Sequence, residues 1–435
     1  MIAPTRPRPK PVGPAAVTVP PQRRRDRPPE RLDPRAACPL LAEAGGPAFW
    51  QRIARVGTPL VDPIPGDDTH RAVTFLVRSA DATEVLLFVN KLADATAYER
   101  SRMERLPGTD VWALTYRLGR DWRGSYTVAV LVPGAAPRVQ RADAELIEMR
   151  RERATAVADP ADRPSLHRWF TAMLHAGPDP LAREQLDETT SVASLPDAPP
   201  PAWPQPLPAG PAGVVHRGVL AGREVWLHDP AGIDPAVPLP VLVLLDGQHW
   251  AGLPAILDAL FATGRVPPLR TIGVSSGDFV TRTRELSCDD AFVAWLAGDL
   301  LGWACEHARL TVDPARTIVA GQSLGGLTAL YAAHTAPHRF GCALSQSGSF
   351  WWPNPAGGAD AEWLTDVVPF GPRTHGVHLE VGTDEWVLLG PTRRMRDALR
   401  ARGDALTYRE YNGGHDQACW RVGLADGLIA LTAAW

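Results

Sequence analysis

The residues with the clearest chemical potential surround Ser323. Residues 321–325 read Gly-Gln-Ser-Leu-Gly, which fits the pattern G-x-S-x-G, and they follow the apolar run 318–320. Sequence rich in Leu and Ala then continues to Ala333 and favours a helix. A strand, this pattern and a helix, in that order, are typical of a nucleophile elbow, where a strained turn exposes a serine hydroxyl above a sheet. We therefore predict that Ser323 is a catalytic nucleophile.

A serine nucleophile needs a base, and His415 is the best-placed candidate. The base takes the serine proton so that the oxygen can attack. In α/β-hydrolases the histidine comes last along the chain, and residues 411–416, Tyr-Asn-Gly-Gly-His-Asp, follow the last predicted strand. We predict that His415 is this base. Four other histidines follow the serine and compete with it, namely His334, His338, His375 and His378.

The carboxylate of a serine–histidine–acid triad should follow the strand before the histidine. Asp384 and Glu385 both stand there, and the pattern alone does not choose between them. Asp416 is a weaker third candidate, because a side chain does not easily reach the ring of its own chain neighbour.

Main-chain donors for a negatively charged oxygen are expected beside the serine. An oxyanion hole needs two N–H groups. One is expected from Leu324, which follows the nucleophile. The other is expected from the loop 245–250 after an earlier strand, where Gly247 permits close approach and Gln248 is the preferred donor.

The chain of 435 residues is long enough for two domains, and its predicted strands and helices fall into two different patterns. From 214 to 435, strands alternate with helices, which indicates a mainly parallel sheet flanked by helices, the α/β-hydrolase fold. Between 40 and 190, short strands separated by turns indicate an immunoglobulin-like β-sandwich without a cysteine pair. The Pro-rich stretch 191–213 is predicted to be a semi-rigid linker or a strap, and the Pro- and Arg-rich residues 1–35 a disordered tail. Since every candidate catalytic residue lies in the second domain, we expect the sandwich to serve substrate capture and not chemistry.

Composition narrows the classes of function. The formal net charge of −3 argues against a nucleic-acid partner, and no apolar run is long enough for membrane insertion. Five cysteines without a CxxC pair indicate free thiols, and the first residues lack the apolar segment of a secretory signal. We therefore expect a cytoplasmic protein, and the sequence does not indicate its oligomeric state.

Further motifs carry a resemblance to a known family. They are Gly-Thr-Asp-Val-Trp at 108–112, Trp-Arg-Gly-Ser-Tyr at 122–126, Leu-Ser-Gln-Ser-Gly-Ser at 344–349 with Trp-Trp-Pro at 351–353, and Gly-Gly-His-Asp at 413–416. Together with the elbow, they resemble the enterochelin esterase family, whose members are ferric-siderophore esterases. The resemblance begins at about Phe49 and does not include the basic N-terminal residues.

The resemblance implies that the chain hydrolyses ester bonds of a ferric tri-catecholate siderophore such as enterobactin and so releases iron in the cytoplasm. It implies no cofactor and no metal ligand, since iron enters only as part of the substrate. It favours Glu385 over Asp384 as the acid and suggests that Arg282 faces the substrate. Two alternatives stay open: a general carboxylesterase or acyltransferase of another aromatic ester, and a catalytically weak siderophore-binding protein. The complete set of Ser323, His415 and a carboxylate argues against the second.

The substrate class indicates which side chains should bind it. A ferric tri-catecholate is a bulky polyanion with aromatic faces, so cations and aromatic rings are expected. Each tryptophan is about as often a core residue as a ligand contact. The candidates next to the site motifs are Arg282, Arg284, Arg393 and Arg421, together with Trp250, Trp351, Trp352, Trp386 and Trp420.

Overall fold

Two antiparallel sheets form the N-terminal domain in the computed structural model, which describes residues 6–435. One sheet has the order β1-β6-β3-β2 with β5 beside β6, and the other has the order β4-β7-β10-β9 with β8 beside β7. Side chains from both sheets, such as Phe75, Leu87 and Leu114, share one buried core, which confirms the β-sandwich. The strands are β1 Arg31–Leu32, β2 Leu60–Ile64, β3 Asp67–Arg78, β4 Glu84–Val89, β5 Glu104–Arg105, β6 Val111–Gly119, β7 Arg123–Leu131, β8 Ala176–Gly177, β9 Glu184–Gln185 and β10 Ser191–Ser194.

Helices cover the outer faces of the sandwich. Phe49 and Ile53 of one helix pack on the first sheet, while Trp169 and Phe170 of another pack on the second. These helices are α1 Pro34–Ala37, α2 Pro47–Val56, α3 Tyr98–Ser101, α4 Arg141–Val157 and α5 Arg163–Met173. The last strand of the sandwich, β10, lies inside the predicted linker, so the linker proper begins after Ser194.

An eight-stranded sheet forms the second domain, in the order β11-β12-β14-β13-β15-β16-β17-β18. The pairs β11–β12 and β12–β14 are antiparallel, and every other neighbouring pair is parallel. This arrangement confirms the α/β-hydrolase fold. The strands are β11 Val214–Leu220, β12 Arg223–Asp229, β13 Val241–Leu245, β14 Arg270–Val274, β15 Thr317–Gln322, β16 Cys342–Gln346, β17 Gly376–Gly382 and β18 Leu406–Tyr411.

Helices lie on both faces of this sheet because its central strands are apolar on both sides. Val243 and Val319 face one core, with α10 and α12. Leu242 and Leu244 face the other, with α6 and α13. The helices are α6 Leu253–Ala262, α7 Phe279–Glu285, α8 Asp290–Trp295, α9 Leu301–Cys305, α10 Leu324–Thr335, α11 Trp363–Val367, α12 Leu389–Arg402 and α13 Gln417–Thr432. A π-helical turn, Leu296–Leu300, joins α8 to α9. No helix among residues 6–435 is long and apolar enough to cross a membrane.

The N-terminal residues differ from the expected disordered tail, of which residues 1–5 lie outside the described range. Arg31–Leu32 pair with β6, and the preceding residues run across the second domain. Trp352 Nε1 donates to Thr18 Oγ1 at 2.9 Å, and Arg25 forms an ion pair with Asp384 at 2.6 Å. Composition alone indicated disorder, but the arginines find carboxylate partners on the folded domains, and such partners are not visible in the local sequence.

Candidate active site

The carboxyl ends of the parallel strands meet at one edge of the large sheet, and Ser323 lies there between β15 and α10. Its backbone has φ 59° and ψ −120°, a conformation that few residues other than glycine adopt. A Cβ at Gly321 would lie only 2.5 Å from the carbonyl carbon of Gly325, so the turn needs glycine at this position. Ser323 N–H also donates to the carbonyl of Gln346 at 3.0 Å. The strained turn predicted from the sequence is present.

His415 lies on the loop after β18, with its ring bonded to a carboxylate. His415 Nδ1 is 2.6 Å from Glu385 Oε2, and the Glu385 side chain is fully buried. Because Nδ1 is committed to this carboxylate, Nε2 is the ring nitrogen that can accept a proton from a nucleophile. The other four histidines lie outside the wall of the cavity that contains Ser323 and His415.

Glu385 is held as a carboxylate by several donors. Its Oε1 accepts from Ser347 Oγ at 2.6 Å, from the Gly382 N–H at 2.8 Å and from Tyr411 Oη at 3.1 Å. Burial by itself raises the pKa of Glu385, but His415, Ser347 and Gly382 together lower it below its usual value. Glu385 is therefore equipped to orient His415 and to stabilise its protonated form.

Asp384, the neighbouring candidate, has different partners. Its carboxylate accepts from Arg25 Nη2 at 2.6 Å and from Trp122 Nε1 at 3.1 Å. Burial raises the pKa of Asp384 despite these donors. Asp416, the third candidate, caps α13 and accepts from the Ser125 N–H at 2.5 Å. The structure thus brings Glu385, and neither aspartate, to His415.

Ser347 and Trp420 support the histidine and acid in ways that the sequence reasoning missed. Trp420 Nε1 donates to Ser347 Oγ at 2.9 Å, and the Trp420 ring meets the His415 ring edge to face with 4.7 Å between centroids. Ser347 itself has φ 50°, so it lies on a second strained turn. The motif at 344–349 was the available signal, but nothing in it shows that its middle serine bonds to the acid.

Ser323 and His415 line one cavity of about 810 Å³. Within residues 6–435, no hydrogen bond joins the Ser323 and His415 side chains directly. Ser323 Oγ instead lies 3.4 Å from Ser349 Oγ. Catalytic contacts of this kind often tighten only when a substrate binds, so the arrangement is compatible with the predicted roles of Ser323, His415 and Glu385.

The predicted oxyanion donors lie in two places. Leu324 lines the cavity at the first turn of α10, where N–H groups have no acceptor within the helix. Gly247 and Gln248 follow β13, the parallel neighbour of β15, but they line a different, smaller pocket. Both polar atoms of the Gln248 side chain have partners, since Oε1 accepts from the Ser276 N–H at 3.2 Å and Nε2 lies 3.3 Å from His249 Nε2. The predicted donor is therefore the main-chain N–H.

Arg282 lines the cavity wall, as expected of a residue that faces substrate, but most of its guanidinium is already bonded. Its Nε and Nη2 donate to the two oxygens of Asp246 at 2.7 Å and 2.6 Å. Burial by itself raises the pKa of Asp246, but Arg282 and Ser276 lower it. Through its bonds to Asp246, Arg282 therefore stabilises the loop that contains Gly247 and Gln248, and it also places a positive charge at the cavity.

The cavity wall is cationic and aromatic. Strands and helices of both domains contribute to it, as do N-terminal residues. Its cations outnumber its carboxylates by six to three, and this excess favours an anionic ligand. The cations are Arg23, Arg24, Lys91, Arg150, Arg153 and Arg282, the carboxylates are Asp94, Asp159 and Asp162, and the aromatic residues are Phe88, Tyr126, Trp169, Phe170, Phe279, Trp351 and Trp386.

Several predicted binding residues lie elsewhere, which corrects those predictions. Trp250 is 3% exposed and packs in the core beneath the sheet with Nε1 near Gln322. Trp352 is 1% exposed and packs against Trp363. Trp420 lies behind His415 and not in the cavity wall. The physical reason is the same for all three tryptophans. A large ring next to a motif can pack beneath or behind the motif residues and so support them without contacting a ligand. Three predicted arginines are likewise outside the wall, namely Arg284, Arg393 and Arg421.

The sandwich contacts the histidine loop directly. Asn90 Nδ2 donates to the carbonyl of His415 at 2.7 Å. The Arg123 N–H donates to the carbonyl of Asn412 at 3.0 Å, and the Ser125 N–H donates to Asp416. Both ends of the loop that holds His415 are therefore bonded to the first domain, so the expectation that the sandwich is separate from the chemistry needs revision.

Comparison with known proteins matches the chain to one family. The profile of the N-terminal domain of enterochelin esterases matches residues 72–204, and that of the Esterase family matches residues 222–431. An iron(III) enterobactin esterase of Dickeya dadantii is 36% identical over an alignment 429 positions long, and the alignment covers 89% of this chain and 93% of the relative. An iron(III) salmochelin esterase of Escherichia coli is 32% identical over an alignment 397 positions long, which covers 87% of this chain and 92% of that protein.

Solved structures agree with these matches. The enterobactin esterase of Shigella flexneri, crystallised in the presence of enterobactin, has a TM-score of 0.72 at 27% identity and covers 89% of this chain and 98% of its own. The ferric enterobactin esterase of Salmonella typhimurium gives the same TM-score and coverage at 28% identity. Because both domains are matched in order and over almost the whole length of these relatives, the chain belongs to the enterochelin esterase family of carboxylic ester hydrolases.

Proposed function

We propose that this protein hydrolyses the serine-ester bonds of a ferric tri-catecholate siderophore, with Ser323 as nucleophile, His415 as base and Glu385 as acid. The observation that carries the proposal is the joint position of Ser323 and His415 in a cavity with an excess of cations and many aromatic side chains. Cations suit the negative charge of the ferric complex, and aromatic rings suit its catechol faces. The relatives named for enterobactin and salmochelin support the same substrate class.

In the first step, Ser323 Oγ attacks the ester carbonyl while His415 Nε2 takes the serine proton. Glu385 stabilises the resulting imidazolium through its bond to Nδ1, at 2.6 Å in the resting protein. The Leu324 N–H and a main-chain N–H from the loop with Gly247 and Gln248 stabilise the negative oxygen of the tetrahedral intermediate.

In the second step, His415 gives its proton to the departing serine hydroxyl of the siderophore, which leaves an acyl-enzyme on Ser323. His415 then takes a proton from water, whose oxygen attacks the acyl carbonyl, and gives this proton to Ser323 Oγ as the acid product leaves and the free enzyme is restored. These steps need only groups of this chain and water, so we propose that iron takes part only as a component of the substrate.

Hydrolysis of the ester backbone weakens the binding of iron by the siderophore. Three joined catechol groups bind a metal more tightly than separate ones because the second and third bind at high effective concentration. Cleaving the ester backbone removes this advantage and releases iron. We propose that the reaction takes place in the cytoplasm, which the five unpaired cysteines support because structural disulfides are rare in that compartment.

Product analysis tests this function. Chromatography after incubation with a ferric tri-catecholate trilactone should show linear and then monomeric catechol-serine products, and the iron-free trilactone and a neutral aryl ester serve as comparison substrates. A binding protein would leave the trilactone intact. A general esterase would cleave the aryl ester and leave the trilactone intact, and either result would reject the proposal.

A further inference from the structure

The N-terminal residues cross the catalytic domain beside the active-site cavity, and we call residues 8–25 the N-terminal strap. Near its start, Arg8 forms an ion pair with Asp366 at 2.6 Å. At its end, Arg25 pairs with Asp384 at 2.6 Å, and both side chains are largely buried, at 12% and 13% exposed. The strap is thus attached to the folded domain at both of its ends.

Between these ends, the strap is bonded to the body of the protein through both its backbone and its side chains. The carbonyl of Val17 accepts from the Asn354 N–H at 2.9 Å, and the carbonyl of Val19 accepts from Asn354 Nδ2 at 2.7 Å. The carbonyl of Arg23 accepts from Trp386 Nε1 at 2.9 Å. Pro20 and Pro21 stiffen the intervening residues because each proline ring restricts φ. These bonds, together with those of the Lys10 and Thr18 side chains, hold the strap in one conformation.

The middle of the strap forms part of the cavity wall. The strap residues that line the cavity are Thr18, Val19, Pro20, Gln22, Arg23 and Arg24. Arg24 is paired with Asp162 of the sandwich. The Arg23 side chain is exposed and makes no ion pair with any of the residues 6–435. Arg23 therefore offers a free positive charge at the cavity.

We propose that the strap is a fixed wall of the substrate cavity and that Arg23 is a specificity-determining residue for polyanionic substrates. This inference rests on the proposed function, since it assigns part of the discrimination between a ferric tri-catecholate and a neutral ester to the strap.

Substitution of the free cation tests the specificity. The measured quantity is kcat/KM for the ferric tri-catecholate divided by kcat/KM for a neutral aryl ester. Arg23→Gln should lower this ratio about fivefold, the upper end for an exposed charge pair. Arg27→Gln is the matched control, because Arg27 is an exposed arginine just outside the strap and the cavity wall. An unchanged ratio in Arg23→Gln, or an equal fall in Arg27→Gln, would overturn the inference. If the wild-type protein does not cleave the siderophore at all, it is the proposed function that fails.

A covalent lock tests whether the wall is fixed. Thr18 Oγ1 and Ser287 Oγ are 2.9 Å apart, so the pair Thr18→Cys and Ser287→Cys is placed to form a disulfide between strap and body. Comparing the oxidised and reduced forms of the same doubly substituted protein cancels any effect of the substitutions themselves. A fixed wall predicts equal siderophore turnover in both forms. Turnover that is lost on oxidation and regained on reduction would show a strap that must open, and would overturn the inference.

Discussion

The two halves of the catalytic apparatus are held by different parts of the molecule. Ser323 is held within the catalytic domain, by the turn between β15 and α10 and by the carbonyl of Gln346. His415 lies on a loop that the sandwich bonds at both ends, through Asn90, Arg123 and Ser125. The position of the proposed nucleophile therefore depends on one domain, whereas that of the proposed base depends on the contact between two domains.

This difference changes the role of the sandwich. From the sequence, it was expected to capture substrate and to leave the chemistry to the second domain. In the structure it both lines the cavity and supports the histidine loop, so removing it would expose the loop as well as most of the cavity. Substitutions at the nucleophile and substitutions at the domain contact should therefore differ in how much they lower kcat and in how they divide their effect between kcat and KM.

The largest effect is expected at the nucleophile. Ser323→Ala should lower kcat by roughly 10⁴- to 10⁶-fold, as for other triad serines, without unfolding the protein. Steady-state kinetics with circular dichroism as a check on the fold would measure this. Ser349→Ala is the matched control, because its hydroxyl lies 3.4 Å from that of Ser323 and is assigned no bond-making role. An equal loss in both variants would undo the assignment.

The next largest effect should separate the adjacent carboxylates. Glu385→Gln should lower kcat by roughly 10³- to 10⁴-fold, since an amide cannot stabilise the imidazolium and favours the wrong tautomer. Asp384→Asn should cost far less, because Asp384 bonds to Arg25 and Trp122 and not to His415. Rate measurements on the two variants side by side decide the matter, and a larger loss at Asp384 would reverse the assignment.

A smaller effect is expected when the sandwich releases the histidine loop. Asn90→Ala removes the donor to the His415 carbonyl and should lower kcat about fivefold to tenfold, the value of one hydrogen bond. The effect on kcat should exceed that on KM because the bond positions the base. Thr83→Val is a control that also removes a bond from a sandwich side chain to a carbonyl, here that of Leu131, away from the loop. Equal kinetics in the two variants would mean that the sandwich does not position His415.

The smallest effect is expected at Lys91, a cation of the sandwich that lines the cavity. Burial and the charge of Arg150 lower the pKa of Lys91, with Glu385 opposing them. The Lys91 charge is present below that lowered pKa and is lost as the pH rises through it. Between about pH 7 and about pH 10, KM for the siderophore should rise roughly threefold more in the wild type than in Lys91→Arg, which keeps its charge. Parallel curves for the two proteins would remove Lys91 from substrate binding.

The sequence predicted which residues lie together better than it predicted their surroundings, and the catalytic roles of Ser323, His415 and Glu385 stay predictions. Ser323 and its glycines form a local pattern, because the strained turn requires those residue types in that order. Chain order then favoured His415. The choice of Glu385 over Asp384 required the family resemblance, since both carboxylates occupy the same turn and only the direction of each side chain separates them.

The residues that the sequence did not reveal act through long-range contacts. Asn90 and His415 are 325 positions apart, and Arg25 and Asp384 are 359 positions apart, so no local pattern connects them. The prediction of a disordered tail, which was made from composition, was wrong for residues 8–25, because their side chains bond to partners on the folded domains. Trp250 and Trp352 were assigned to substrate because they adjoin motifs, but apolar rings are more stable inside the core when space is available there.

The most direct test is the mass of the protein during turnover of an iron-free tri-catecholate trilactone, followed by peptide mapping. When Ser323 opens a cyclic ester, the leaving hydroxyl stays attached to the acyl chain, so the first adduct must carry the whole mass of the substrate. We predict this increase on the peptide that contains Ser323, its absence in Ser323→Ala, and its accumulation in His415→Ala if any attack persists there. Turnover without an adduct on Ser323, or an adduct on another residue that disappears at the rate of product formation, would contradict the mechanism.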